Sequence, residues 1–318
     1  MDKKWSDTIT STLAHTLSQL IYKHFTIPHA SYDAAHTPLD LDWKSHHWAE
    51  AARRASGRET SPLAARMESG RVSSEELGEV VYENLRKLKE ADGEYVTFNH
   101  KDYPRLLRDI KDPPMALSLL GQTSILARPM VSVIGARRAS ATATFMARKT
   151  GSYLCKLGFT VVSGGAMGCD ISAHLGAYES QIYPAATVVV LAGGLCSFYP
   201  KKNEAAFSKI RHAGGVFLSE RLWHAPSRPF DFPVRNRIIT GLSKSTILVQ
   251  GALRSGAYLS TNIALNQGRD VFVLDHKTQD DGFNGNHELI RDGAPSFTKA
   301  AELKALLAPE RDIFCFRR

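Results

Sequence analysis

The sequence predicts an α/β protein with a doubly wound, mainly parallel Rossmann-like sheet, joined to a small helical domain at the N-terminus. Three observations carry this. Short β-branched runs recur after residue 130: MVSVIG, FTVVS (159–163), ATVVVLAG (186–193), GVFLS (215–219), STILVQG (245–251) and DVFVLD (270–275). Between most of them lie stretches of helical character, such as 142–157 and 258–267. Continuous apolar strands alternating with helices fit a parallel sheet covered on both faces, and right-handed crossovers then wind it doubly. Finally, several of the strand ends carry glycine, which lets a backbone approach a ligand closely.

The predicted order is a helical domain over 1–95, a connector over 96–129, the Rossmann-like domain over 130–297, and a C-terminal helix and tail over 298–318. In the first part, Ile9, Leu13, Leu17 and Ile21 recur every four residues and so share one helix face. Prolines at 28 and 38 mark a loop over 26–40, and GRETSP (57–62) marks a second break. Ser73-Ser-Glu-Glu76 resembles a capping box ahead of Leu77, Val81, Leu85 and Leu88 at helical spacing. His46 and His47 beside Trp43 and Trp48 have no metal spacing and fit a surface helix. The segment 101–121, broken by prolines, is expected to connect the two domains.

Hydrophobic residues make up 43% of the 318, enough for a sizeable core and too many for a disordered chain. No window reaches the roughly 18–20 apolar residues of a membrane helix, so no membrane association is expected. MDKKWSDTITSTLAH has no apolar core of the secretory kind, and cytoplasmic location is expected. Cys155, Cys169, Cys196 and Cys315 are scattered without a CxxC pair, which fits free thiols in a reducing compartment and no zinc site. Charge is unevenly spread. Residues 1–95 hold 12 Lys+Arg against 15 Asp+Glu, whereas 96–318 hold 28 against 17. A basic domain attracts polyanions, nucleic acid first among them, although many soluble proteins are mildly basic and bind none.

In doubly wound sheets, ligands bind beyond the carboxyl ends of the strands. There the sequence places Gly135-Ala-Arg137-Arg138, Ser163-Gly164-Gly165, Gly193-Gly194, Ser219-Glu220 and Arg254-Ser255-Gly256. Arginine forks match phosphate oxygens, and glycine loops expose backbone N–H groups. The ligand class is therefore anionic. A dinucleotide is disfavoured because Gly135 stands alone after the first strand and the best cluster, GGAMG, follows the second. No GxxxxGK[ST] loop occurs, and no cofactor is expected.

VIGARRAS, SGGAMGCDISAHLGAY, LAGGLCSFYPKKN, FLSE, FPVRNRIITGLSKSTILV, RSGAYLSTNIALNQGRDVFVL and GNHELIRDGA occur in the order found in DprA/Smf proteins, and the chain resembles that family over about 103–295. The resemblance implies a protein that binds single-stranded DNA without catalysis, acts in natural transformation and recombination, assists RecA loading, and forms a homodimer. Carried over, Arg137 matches the arginine of the family's G-S-R motif, with Arg138 and Ser140 next to it. Ser163, Gly164 and Gly165 match its anion-binding turn, which closes at Gly168. Arg254, Ser255 and Gly256 match the basic-Ser-Gly motif across the pocket, and Arg235, Asn236 and Arg237 lie in the bordering FPxRNR segment. Met167 stands where members usually carry Arg or Lys, Gln250 replaces a common Glu, LDHK (274–277) replaces a usual Pro-Gly, and His287 replaces an asparagine.

Other residues have plainer readings. Asp170 and His174 are four apart, as an acid–base pair could be, but an aspartate at a helix start more often satisfies backbone donors. Cys169, beside a helix start with no partner base, fits a packed thiol. Arg235 and Arg237 fit a braced loop and a ligand contact equally. Two functional alternatives use the same fold: a small-nucleotide sensor, and a phosphoribohydrolase like the LOG enzymes. Residues 250–269, which match the latter's catalytic motif, contain no carboxylate, and N-glycosidic cleavage needs one.

Overall fold

The computed structural model describes residues 83–308, apart from Asn99, Met115, Tyr183 and Gln279. The expected helix face at Ile9 to Ile21, the breaks at 26–40 and 57–62, the Trp43–Trp48 cluster and the cap at Ser73 lie outside the described residues. Leu85 and Leu88 fall in a helical stretch over 83–90, where Leu88 is buried.

Along the chain follow β1 (Glu94–Thr97), β2 (Ala116–Leu120), β3 (Met130–Ile134), α1 (Ala141–Lys156), β4 (Thr160–Ser163), α2 (Cys169–Glu179) and β5 (Thr187–Val190). Then come α3 (Glu204–His212), β6 (Val216–Ser219), α4 (Asp231–Gly241), β7 (Ser245–Leu248), α5 (Gly256–Asn266), β8 (Asp270–Leu274), α6 (Asn284–Arg291), β9 (Ser296–Phe297) and α7 (Leu303–Leu306). Two compact units result. One gathers the chain up to Gly121 with Leu191–Phe198 and Phe217–Asp231; the other gathers Gln122–Val190, Tyr199–Val216 and the chain from Phe232 onward.

In the first unit β2 pairs antiparallel with β1, Val96 opposite Leu117, and with residues 217–219, Leu119 opposite Leu218. This corrects the sequence expectation for 96–129. The segment contains a strand buried at every position, ALSLL, and the prolines at 113 and 114 precede it rather than interrupt it. A short apolar run bounded by prolines carries the same signal as a linker until a partner strand is in place. Elsewhere in this unit Tyr103 Oη donates to the Pro114 carbonyl at 2.7 Å, and Phe198 stacks on Phe217 with centroids 4.3 Å apart.

The second unit is the doubly wound sheet. Its strands run β5-β4-β3-β7-β8-β9, all parallel, with Val133 opposite Ile247 and Ile247 opposite Phe272. Strands β3 to β5 and β7 are buried at every position, as expected for a sheet covered on both faces. Helices α1 and α2 present small residues to each other. A Cβ on Gly151 would stand 2.1 Å from the Ala173 oxygen, and one on Gly176 would stand 1.9 Å from the Arg148 oxygen, so their backbones are in direct contact. Ala143, Ala147, Leu154, Ala173 and Ala177 pack with Val131, Val133 and Val161 beneath them. Strand order reverses at β3, which lies between β4 and β7. The carboxyl ends of β3 and β7 therefore flank the switch point of the sheet, where this fold class opens a crevice.

Candidate nucleic-acid interface

Two loops leave the switch point side by side. Val249 N donates to the Ile134 carbonyl at 3.0 Å, and Ser140 N donates to Gln250 Oε1 at 2.9 Å, which ties the 135–140 loop to the 249–255 loop. Each loop ends in a serine cap. Ser140 Oγ accepts from Ala143 N at 3.1 Å to start α1, and Ser255 Oγ accepts from Tyr258 N at 3.2 Å to start α5. Two helix N-termini thus bring positive dipole ends to one crevice. Gly256, the first residue of α5, is exposed, and a Cβ there would meet nothing within 4 Å, which leaves that helix end open to a ligand.

Arg137, Arg138 and Arg254 are exposed on these loops, and none has an ion-pair partner among the described residues. The Arg137 guanidinium lies over the Phe232 ring, 5.0 Å from its centroid. Arg254 holds φ of 60°, a conformation that costs a non-glycine residue energy and is concentrated at functional loops. The structure brings Arg137, Ser140, Arg254, Ser255 and Gly256 together at this crevice, with forked donors beside two capped helix ends.

The glycine loop after β4 turns inward instead. Ser163 is fully buried, and its Oγ donates to the Val133 carbonyl at 2.6 Å. Gly164 N and Ala166 N both donate to Asp170 Oδ2, at 3.2 and 3.4 Å. In the next peptide group, the Gly164 oxygen accepts from Arg235 Nη1 at 2.7 Å, and the Val190 oxygen accepts from the same nitrogen. A Cβ on Gly164 would lie 2.5 Å from that guanidinium nitrogen. Gly165, at φ 68°, accepts from Asn203 Nδ2 at 2.9 Å. Gly168 caps α2 at φ 80°, where a Cβ would stand 2.2 Å from the Ala136 oxygen. Donors expected to cradle a phosphate are thus held by the protein's own carboxylate, and Arg235 braces the loop from below, 5% exposed.

Of its neighbours, Asn236 donates to Ser260 Oγ at 2.8 Å and accepts from Arg235 Nε at 3.2 Å. Arg237, half-buried, donates weakly to the Val234 carbonyl at 3.4 Å. The hydrogen bonds of Arg235 and Asn236 thus run to the protein's own glycine loop, to the end of β5 and to α5. Gln250 and Asn286 were not assigned roles from sequence. Asn286 is fully buried, with Oδ1 accepting from Gly251 N at 2.9 Å and Nδ2 donating to the Val249 and Leu274 carbonyls at 3.0 Å. No periodicity or motif marks such a residue, because its three partners lie on two other segments, 249–251 and the end of β8. Met167 is 37% exposed, so this position of the glycine loop faces solvent.

Burial sets the titration of the inner groups. It raises the Asp170 carboxyl, against the opposing pull of Arg235, and pushes Arg235 down to about 10. It pushes the Cys169 thiol up to about 12, as a packed thiol requires. His174, with Nδ1 2.7 Å from Thr187 Oγ1, is pushed down to about 3 by burial and then by the Arg235 charge. The unfolded chain binds that proton near pH 6.5 and the folded one does not, so stability falls as pH drops from about 6.5 towards 3. Asp170, raised when folded, opposes this at pH values above the ordinary carboxylate range. The expected outcome for His174 is a loss of about 2 kcal/mol between pH 7.5 and pH 5. Urea denaturation at the two pH values checks it, since His174→Gln should flatten the dependence; an equal slope in the variant would remove His174 as the cause.

Among the described residues no group of three His, Cys, Asp or Glu could hold a metal ion, and no helix is long and apolar enough to cross a membrane. A parallel sheet whose switch point gathers exposed arginines and capped helix ends defines a protein of the doubly wound class with a crevice suited to an anion. The family model for DNA recombination-mediator protein A matches residues 94–308, and the chain belongs to that family. It is 32% identical over 220 residues to DNA processing protein DprA of Bacillus subtilis (strain 168), which covers 69% of this chain and 72% of that one. The X-ray structure of DNA processing protein A from Streptococcus pneumoniae shares the fold, with TM-score 0.73 and 24% identity over 98% of this chain and 99% of that one. DNA processing protein A from Helicobacter pylori, a structure described for its single-stranded DNA binding mode, matches with TM-score 0.60 and 28% identity over 67% of this chain and 95% of that one. Against three further curated relatives the chain spans between 53% and 64% of their length.

Proposed function

We propose that this chain binds single-stranded DNA without chemistry, in DNA processing during natural transformation and recombination, as a cytoplasmic homodimer that assists RecA loading. The observation that carries the binding is the switch-point crevice, where Arg137, Arg138 and Arg254 are exposed without ion-pair partners between the capped starts of α1 and α5. Forked cations and helix ends recognise phosphate and read no base, so binding is tolerant of sequence. The carboxylates support a role without catalysis: residues 250–269 contain none, and Asp170 Oδ2 accepts from the Gly164 and Ala166 amides. Single-stranded DNA binding by the Helicobacter pylori relative supports the same ligand here.

The test is a salt titration of a fluorescent single-stranded oligonucleotide, with a duplex of the same sequence as control. Three neutralised phosphates predict a slope of log K against log salt of about −2 on single strands. Preference for the single strand with that slope supports the proposal. Absence of single-strand binding at low salt sinks it.

A further inference from the structure

Beyond the arginine crevice, the end of β8 opens into a cleft of about 520 Å³ lined by Asp275, His276, Lys277, Thr278, Asn284 and His287. We infer that this cleft is a second subsite that takes one nucleotide of a bound strand, next to the phosphate held between β3 and β7. The inference rests on the proposed single-strand binding.

Contacts join the walls of the cleft to the loops of the crevice. Gln250, whose Oε1 accepts from Ser140 N, packs its amide nitrogen 2.7 Å from where a Cβ on Gly282 would stand. Gly285 N donates to the Gly251 carbonyl at 2.9 Å, and Asn286 joins Gly251, Val249 and Leu274. Strands β3, β7 and β8 are neighbours, and adjacent strands lie about 4.8 Å apart. Their carboxyl ends therefore present Arg137 and Arg138, then Arg254, then His276 and Lys277 in one row.

The lining chemistry names the ligand. Lys277 is an exposed cation suited to a phosphate. Asp275 is an acceptor that would repel a bare phosphate and suits an N–H or O–H donor on the same ligand. The His287 Nε2 is 3.2 Å from the His276 carbonyl, so its Nδ1 is the ring atom left to face a ligand, and Thr278 and Asn284 add neutral partners. The His276 ring is fixed against Phe283, centroids 4.7 Å apart. An anionic group at one end and polar N–H or O–H groups at the other describe a nucleotide. The cleft's size falls within the range of about 300–1,000 Å³ typical of small-ligand sites.

The experiment compares wild type, Lys277→Ala/His287→Asn and Arg137→Ala/Arg254→Ala. Binding of fluorescent dC12 is measured across salt, and the histidine ring resonances are followed by NMR during titration with deoxycytidine monophosphate. For Lys277→Ala/His287→Asn the expected result is about fivefold weaker dC12 binding and a salt slope flatter by about 0.7, one phosphate's share. In wild type and in the arginine variant, the His276 and His287 rings should shift saturably with the mononucleotide. Unchanged dC12 affinity and slope in Lys277→Ala/His287→Asn, while the arginine variant loses binding, would overturn the subsite and leave the single-strand proposal standing. If wild type binds no single strand, that proposal fails and the subsite, which rests on it, fails with it; unmoved rings in a wild type that does bind the strand remove the subsite alone.

Discussion

Arg235→Ala is expected to lower the unfolding free energy by about 3–5 kcal/mol, the range for breaking a buried charge pair from one side. The arginine is buried, and its Nη1 serves the Gly164 and Val190 carbonyls while its charge offsets that of Asp170. Alanine would strand both carbonyls and leave a buried carboxylate whose remaining partners are two backbone amides. Lysine does not rescue, because an ammonium lacks the planar fork that lies flat against Gly164. The check is urea denaturation of wild type, Arg235→Ala, Asp170→Asn and the double variant. Because the two side chains hold neighbouring peptide groups of one loop and their charges interact, the double variant should lose less than the sum of the singles. A loss below 1 kcal/mol for Arg235→Ala would mean that the guanidinium carries no such load.

Arg137→Ala with Arg254→Ala is expected to weaken single-strand binding about 100-fold near 0.1 M salt, with a salt slope flatter by about 1.4 for two phosphates. Each single variant should cost about tenfold. Thermal stability should barely move, because both side chains are exposed without ion-pair partners, and Arg137 gives up only an exposed contact with Phe232. Arg254 allows a sharper control. At φ 60° glycine is the unstrained residue, so Arg254→Gly should be at least as stable as wild type while binding as poorly as the alanine variant. Binding retained by the double variant would move the phosphate seat away from the switch point.

How far the sequence reached depended on whether a feature is written locally. The parallel strands were legible because a strand covered on both faces must be apolar throughout, as in MVSVI and TVVV. The same rule applies to ALSLL, yet prolines before it made it look like a linker, and only the antiparallel partners at 94–97 and 217–219 distinguish the two. The exposed half of the site was legible as well. Arg137 and Arg254 follow strands and accompany glycines, and the two serines cap the helices that begin there. Its inner half was not. That Asp170 fills the turn of Gly164 and Ala166, or that Arg235 passes beneath Gly164 to reach Val190, depends on residues up to 71 positions apart meeting in space. A glycine-rich turn looks the same in sequence whether an external anion or an internal one occupies it.

The two arginine populations answer differently to ionic strength. Exposed charges are screened within about 10 Å at 0.1 M salt, whereas a buried pair is shielded from the electrolyte. Raising salt therefore screens the charges of Arg137, Arg138 and Arg254 without touching the clamp that Asp170 and Arg235 place on Gly164. Under the proposed function, the surface would release a strand while the loop behind it keeps its shape, so release and recapture would need no refolding of the site.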